Sequence, residues 1–151
     1  MNKVFYQSSL DRFIRSKKGS ALDLASGKET FVNLLLKNHW YVDSVDLKKK
    51  NCFHKKNYSF NQIDLEKTKL SKIRRKLALR KYDLIILFRF LHRPLLRVIP
   101  LLMKKNGLFF CETFMIQNGK GKLNTKKNML LKKELFNIKN CKLNLLKFYQ
   151  G

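Results

Sequence analysis

The stretch from Ser20 to Asp46 constrains the fold most. It reads Ser-Ala-Leu-Asp-Leu-Ala-Ser-Gly-Lys-Glu-Thr, continues through an apolar run of helical character, and closes on Tyr-Val-Asp-Ser-Val-Asp. Strand, glycine turn, helix, and a second strand ending in an acid is the order in which an α/β sheet builds a nucleotide-sized pocket. Asp23 falls near the end of the first strand, and Gly27 lets the backbone turn tightly toward a ligand. Asp46 ends the second strand, and an acid about 20 residues beyond a glycine turn is placed to accept hydrogen bonds from ribose hydroxyls.

The rest of the chain continues the alternation. Ser8 to Lys18 places Leu10, Phe13 and Ile14 on one side and Arg12, Arg15 and Lys17 on the other, which predicts a short amphipathic helix ended by Gly19. Ala21 to Ala25 is the first strand, the segment to Asn38 a helix, and Tyr41 to Asp46 the second strand. Lys48 to Asn57 reads as a polar surface loop, and Tyr58 to Asp64 as a weaker strand. Leu70, Ile73 and Leu77 recur at spacings of 3 and 4, which predicts a helix over 65–81. Tyr82 to Phe88 carries the continuous apolar run expected of a central parallel strand buried on both faces. Pro94 suits the first turn of a helix, and Pro100 within the same apolar run implies a kink or an early stop.

Asn106-Gly107 turns the chain into a strand from Leu108 to Phe114. Gly119 and Gly121 mark a loop, Met129 to Ile138 reads as a helix, and Leu143 to Tyr149 as a last strand. The expectation is an α/β, doubly wound, mostly parallel sheet flanked by helices, built as a single domain over 1–151.

Composition narrows the setting. No apolar run approaches the ~20 residues that span a bilayer, and the amino terminus lacks the pattern of a secretory signal, so a soluble cytoplasmic protein with no membrane partner is expected. Cys52, Cys111 and Cys141 are odd in number and widely spaced, which argues for reduced thiols and no structural metal; Cys111, inside Leu-Phe-Phe-Cys, is expected in the core.

The net charge of +24 suits a polyanion such as RNA, since clustered Lys and Arg neutralise phosphates. Most of that charge is lysine spread in short groups, which A/T-rich codon usage also places on solvated faces, and this second reading is preferred. The acids say more: Asp23, Asp46, Asp64 and Glu112 all fall at or near the carboxyl ends of predicted strands, the edge where open α/β sheets bind ligands.

At these residues the chain resembles the class I S-adenosylmethionine-dependent methyltransferases, and more narrowly a group of small bacterial methyltransferase-domain proteins. The likeness runs from Leu22-Asp23-Leu24-Ala25-Ser26-Gly27 through Val45-Asp46, Asp64-Leu65-Glu66 and Tyr82-Asp83-Leu84-Ile85-Ile86. It continues into Phe88-Arg89-Phe90-Leu91-His92-Arg93-Pro94-Leu95, then Gly107-Leu108-Phe109-Phe110-Cys111-Glu112-Thr113-Phe114, and the region of Leu130-Leu131 and Glu134-Leu135. The resemblance implies S-adenosylmethionine as cofactor, with Asp23, Ala25 and Gly27 bordering the methionine moiety, Asp46 with Leu47 holding the ribose, and Asp64 with Leu65 meeting the adenine. It also implies Phe88 and Arg89 as the floor beside the reactive methyl, and no metal.

Two departures accompany the likeness. Such glycine turns usually carry a second glycine two residues after the one matching Gly27, where this chain has Glu29, whose side chain would either block the pocket or swing to solvent. The family also ends in an antiparallel hairpin, and the likeness leads to the expectation that its final strand is missing here, the chain stopping at Phe148-Tyr149-Gln150-Gly151.

On the substrate side, His92 would accept a proton and Arg93 anchor an anionic substrate, or His92 caps the next helix and Arg93 packs locally. Glu112 would take a substrate proton or orient Arg93, or else serve only as a structural partner to that cation. The methyl acceptor, a small molecule or RNA, is not legible. The alternative function is a catalytically degenerate methyltransferase fold that serves as an RNA- or protein-binding module.

Overall fold

The computed structural model describes residues 5–48, 55–113, 143–144 and 146. Five strands, β1 (Ser20–Leu24), β2 (Tyr41–Asp46), β3 (Tyr58–Gln62), β4 (Tyr82–Phe88) and β5 (Met103–Glu112), form one sheet in the order β3-β2-β1-β4-β5. Every pairing is parallel. The order reverses between β1 and β4, so crossovers leave the sheet on opposite faces and open a crevice above the carboxyl ends of these two strands.

Alternation along the strands sends side chains to two cores. On one face α1 (Phe5–Ser16) and α2 (Thr30–Lys37) bury Leu10, Ile14, Val32 and Leu35 against Ala21, Val42, Leu84 and Ile86, with Trp40 fully enclosed. The indole Nε1 of Trp40 donates to the Ile14 carbonyl at 3.0 Å, which ties α1 to the loop before β2. On the other face α3 (Leu70–Leu77), α4 (Arg93–Leu96) and α5 (Ile99–Leu102) bury Ile73, Leu77, Leu95, Ile99 and Leu102 against Leu22, Leu24, Val45, Ile85 and Leu87. As the sequence predicts, β4 is buried on both faces: Leu84 to Leu87 expose no surface.

Several elements differ from the sequence reading for local reasons. The helix expected over 65–81 is only Leu70–Leu77, because Asp64 Oδ1 accepts the N–H groups of Glu66 and Lys67 at 3.0 Å and holds the preceding residues as a separate turn. Pro100 breaks the next run into two single-turn helices, and it sits in the first turn of the second, where its missing N–H costs nothing. The strand expected from Leu108 begins earlier, at Met103, and absorbs Asn106-Gly107 as a bulge: Tyr82 pairs Met103, while Leu84 pairs Leu108. Cys111 is exposed on that strand instead of buried.

α1 ends at Ser16, and Gly19 serves a different purpose, since a Cβ there would run into the Asp83 carboxylate. Asp83 accepts the Ser20 N–H at 2.8 Å and Lys104 Nζ at 2.7 Å, joining the starts of β1, β4 and β5. The expected loop at Gly119 and Gly121 and the helix from Met129 lie outside the described residues, as does the expected last strand except for Leu143, Asn144 and Leu146, none of which is in a strand. No helix among the described residues is long and apolar enough to cross a membrane.

Candidate functional site

Because every strand is parallel, the ends of all five meet at one edge. The structure therefore gathers there Ala25 and Gly27 after β1, Asp46 and Leu47 at the end of β2, Asp64 and Leu65 beyond β3, Phe88 and Arg89 at β4, and Glu112 at β5. Asp23 lies one residue further back in β1 and is 1% exposed. Neighbouring strands are ~4.8 Å apart, so this row spans about 19 Å from β3 to β5.

The β1–α2 turn carries the most unusual backbone. Ala25, Gly27 and Glu29 have φ values of 56°, 50° and 59°, all left-handed, although only one of them is a glycine. A side chain in that region costs roughly 1–2 kcal/mol, so the surroundings must hold the turn. Ser26 N–H donates to the Val45 carbonyl at 3.0 Å and Glu29 N–H to the Ser26 carbonyl at 2.8 Å.

Asp46 closes the clamp from β2. Its Oδ2 accepts the Gly27 N–H at 2.8 Å and its Oδ1 the Lys48 N–H at 2.9 Å. Each carboxylate oxygen keeps a second lone pair, so Asp46 both shapes the glycine turn and presents acceptors toward the crevice.

Glu29 follows neither course expected of it. Its carboxylate lies across the sheet toward β3, where Tyr58 Oη donates to Oε1 at 2.5 Å, and Tyr58 Oη is 2.8 Å from Ser44 Oγ. A short polar chain from β2 through β3 to the N-cap of α2 thus holds the side chain that stands at the customary glycine.

At the other end of the row, Arg89 is left-handed at φ 54° and donates its N–H to the Glu112 carbonyl at 2.7 Å. Its guanidinium lies 5.1 Å from the Phe88 ring centre, and its Nε is 3.4 Å from Glu112 Oε1. Arg89 is thus a cation beside Glu112 that the sequence reading, which named Arg93, did not include. Phe88 meets Phe31 edge-on at 5.1 Å, and Phe31 meets Phe110 at 6.1 Å, giving that side of the crevice an aromatic wall.

His92 is half-buried and precedes α4, but its side chain makes no capping hydrogen bond, which removes the bland role considered for it. Arg93 is half-buried in the first turn of α4. No group of three His, Cys, Asp or Glu residues able to hold a metal occurs among the described residues.

Two observations test whether a nucleoside cofactor fits. Ser26 Oγ, in the glycine turn, and Glu112 Oε2, at the β5 end, are buried polar atoms with no hydrogen-bond partner among the described residues. Buried polar atoms are normally paired, so the middle of the row and its β5 end hold groups that a polar ligand would satisfy. Leu65, 4% exposed, supplies an apolar surface beside Asp64, whose Oδ2 stays free of the turn that Oδ1 caps. The residues present fit an adenine, a ribose and a polar tail laid along the edge.

Sequence reasoning did not find the Tyr58 link to Glu29, the Ser26 hydroxyl or the Phe31–Phe110 wall. Tyr58 and Ser44 lie on paired strands only once the β2–β3 register is known, and Phe31 reads as ordinary core in an apolar helix.

No protein-family model and no curated protein matches the chain. Solved structures do match in fold. A 1,6-didemethyltoxoflavin-N1-methyltransferase from Burkholderia thailandensis, with bound 1,6-didemethyltoxoflavin and S-adenosylhomocysteine, aligns with a TM-score of 0.62 over 90% of this chain and 64% of its own, at 16% identity. An O-methyltransferase family protein from the same organism aligns with a TM-score of 0.60 over 92% of this chain and 51% of its own, at 11% identity. A SAM-dependent methyltransferase from Agrobacterium tumefaciens aligns with a TM-score of 0.56 over 74% and 44%, at 16% identity. The chain thus has the Rossmann-like α/β fold of these methyltransferases and spans from under half to under two thirds of their length.

Proposed function

We propose that this chain is an S-adenosylmethionine-dependent methyltransferase, acting in the cytoplasm on a small molecule or an RNA. The observation that carries the reading is the clamp at the sheet edge: three left-handed residues at positions 25, 27 and 29, held by the Asp46 carboxylate. A turn that costs backbone energy and ends beside unpaired acceptor sites suits a ligand better than a loop. The narrower likeness to small bacterial methyltransferase-domain proteins, carried by Leu91-His92-Arg93-Pro94-Leu95, belongs to the same proposal.

The bound cofactor would supply an electrophilic methyl on a sulfonium, which needs no metal. Asp46 would accept the ribose hydroxyls beside Leu47, Asp64 Oδ2 the adenine amine over Leu65, and the turn at Asp23, Ala25 and Gly27 would border the methionine end. Phe88 and Phe31 exclude water from the crevice wall, and Arg89, braced by Glu112, fixes the end of β4. His92, free of a capping role, would take the acceptor's proton, and Arg93 would hold an anionic acceptor group. Glu112 Oε2 is the other available acceptor for a substrate donor. The main catalytic contribution is alignment of acceptor and methyl in a dry site.

Calorimetric titration with S-adenosylmethionine and S-adenosylhomocysteine tests this. Binding near micromolar, about 8 kcal/mol, that weakens in Asp46→Ala is the expected result. Absence of binding up to millimolar would instead support the second reading, a binding module on a decayed fold, for which Glu29 at the customary glycine is the ground.

A further inference from the structure

We infer that the exposed side of α3 is a docking surface for the phosphate backbone of single-stranded RNA. The cations Lys67, Lys69, Lys72, Arg74, Arg75 and Lys76 are all exposed, and among the described residues none makes an ion pair or a side-chain hydrogen bond. Ile73 and Leu77 bury the opposite side of the helix, so these charges point away from the sheet.

The charge is segregated as well as abundant. From Lys67 to Cys111 the only acid is Asp83, which is taken up by Lys104, whereas residues 8–66 hold Asp11, Asp23, Glu29, Asp43, Asp46, Asp64 and Glu66. Codon drift would scatter lysine over every solvated face. It does not account for a stretch cleared of acids, with Arg74, Arg75 and Lys76 together in the last turn of one helix.

The start of α3 is also built against its own stability, although Arg74, Arg75 and Lys76 suit its last turn. Its N-cap is Lys69 with no side-chain cap bond, and its first turn has no acid, so the helix dipole is opposed. Lys69 with Lys72, Lys72 with Lys76, and Lys72 with Arg75 stand at spacings of 3 or 4, where like charges repel. A polyanion removes that repulsion.

The helix is two turns long, about 12 Å, and is anchored in the core through Ile73 and Leu77, so it is not free to insert into the groove of a duplex. A flexible single strand can follow such a surface. The stripe starts three residues beyond Asp64, at the carboxyl edge of the sheet, so a strand lying on it leads toward the crevice. The inference is independent of cofactor binding.

The test is fluorescence anisotropy of a labelled single-stranded RNA of about 20 nucleotides, without cofactor, across a series of salt concentrations. Each phosphate contact contributes about −0.7 to the slope of log K against log salt. The variant Lys69→Gln/Lys72→Gln/Arg75→Gln/Lys76→Gln should lose about 3 units of slope and at least about tenfold in affinity at 0.1 M salt. Arg12→Gln/Lys18→Gln/Lys37→Gln/Lys56→Gln, which removes the same charge from exposed sites elsewhere, should lose less than about 1 unit.

Glutamine is a good helix former, so α3 should persist by circular dichroism. If the fourfold variant does not fold, Lys72→Gln/Lys76→Gln should still lose about 1.4 units. Equal losses in the two fourfold variants, no RNA binding by the native chain, or binding of double-stranded DNA or of an acidic peptide as tight as that of RNA would each overturn the inference.

Discussion

Replacing Glu29 by glycine separates two views of the β1–α2 turn. In one, the long anionic side chain obstructs the crevice; in the structure it is bound to Tyr58 across the sheet. Glycine relieves a left-handed backbone at φ 59°, worth roughly 1–2 kcal/mol, but adds unfolded-state freedom that costs about 0.5–1 kcal/mol. The backbone terms therefore nearly cancel. The remaining loss is one hydrogen bond to a carboxylate at 2.5 Å, about 1.5–3 kcal/mol before discounting for its half-exposed position. Tyr58 keeps Ser44 as a partner at 2.8 Å, so no orphaned hydroxyl adds to this.

Glu29→Gly should then lower stability by about 1 kcal/mol in urea unfolding and leave the affinity for S-adenosylhomocysteine within about threefold, under 0.7 kcal/mol. A double-mutant cycle with Tyr58→Phe should return a coupling of about 1 kcal/mol. A stability gain with no coupling would show that the Tyr58 link does not form. An affinity gain of tenfold or more would show that Glu29 occupies the crevice, and the reasoning would fail at that residue.

Five further outcomes follow from single contacts. Asp46→Ala removes the acceptor for the Gly27 and Lys48 N–H groups as well as for a ribose, so cofactor affinity should fall by about 1.5–3 kcal/mol in calorimetry; unchanged affinity would refute the assignment. Tyr82→Phe deletes the hydroxyl that donates to Asp43 Oδ2 at 2.7 Å and leaves that buried carboxylate with Arg80 at 3.5 Å, which should cost about 1–3 kcal/mol in urea unfolding. Burial, then the Asp43 hydrogen bond and charge, raise the Tyr82 hydroxyl well above its ordinary value, so it should show no phenolate absorbance up to the alkaline unfolding transition.

Burial alone would raise the Asp83 carboxyl, but hydrogen bonds from Lys104 and Ser20 outweigh it and hold it below its ordinary value. Its contribution to stability is present above the unfolded value near pH 4 and is lost as pH falls through the lower folded value; Asp83→Asn should flatten acid unfolding in that window. Gly19→Ala should destabilise the fold and lower the unfolding midpoint, because the new methyl meets the Asp83 carboxylate that joins β1 to β4.

The fold was legible because hydrophobic period and strand-end acids both act locally. Leu84 to Leu87 announce a doubly buried strand, and Asp46 and Glu112 mark strand ends without knowledge of any partner. What was not legible depends on register or on competition between local bonds. The 65–81 helix failed because periodicity alone cannot show that Asp64 Oδ1 captures the Glu66 and Lys67 N–H groups first. The β5 bulge was missed because Asn-Gly reads as a turn in isolation, and only pairing with β4 decides that the strand runs through it. Glu112 was placed at the edge, but its contact with Arg89 was missed, because only the β4–β5 register, which pairs Phe88 with Glu112, brings that cation beside it.

The same distinction bears on what the β1–α2 turn is for. A loop serving only to join a strand to a helix would drift toward right-handed residues once its glycines were lost, because each left-handed side chain costs roughly 1–2 kcal/mol. Here Ala25 and Glu29 keep the left-handed backbone with side chains attached, and the cost is offset by contacts from other elements: Val45 to Ser26, Asp46 to Gly27, Tyr58 to Glu29. Two of those three contacts come from β2 and one from β3, the strands that border the ribose and adenine ends of the proposed site. The turn is thus stabilised by the groups that would flank the ligand, so loosening one should loosen both. Asp46→Asn tests that coupling: it keeps one oxygen acceptor and should free the turn only partly, with hydrogen exchange at the Gly27 amide rising by less than in Asp46→Ala and cofactor affinity falling in the same order. Affinity lost without faster Gly27 exchange would show that Asp46 serves the ligand alone and that the turn is held by the remaining contacts.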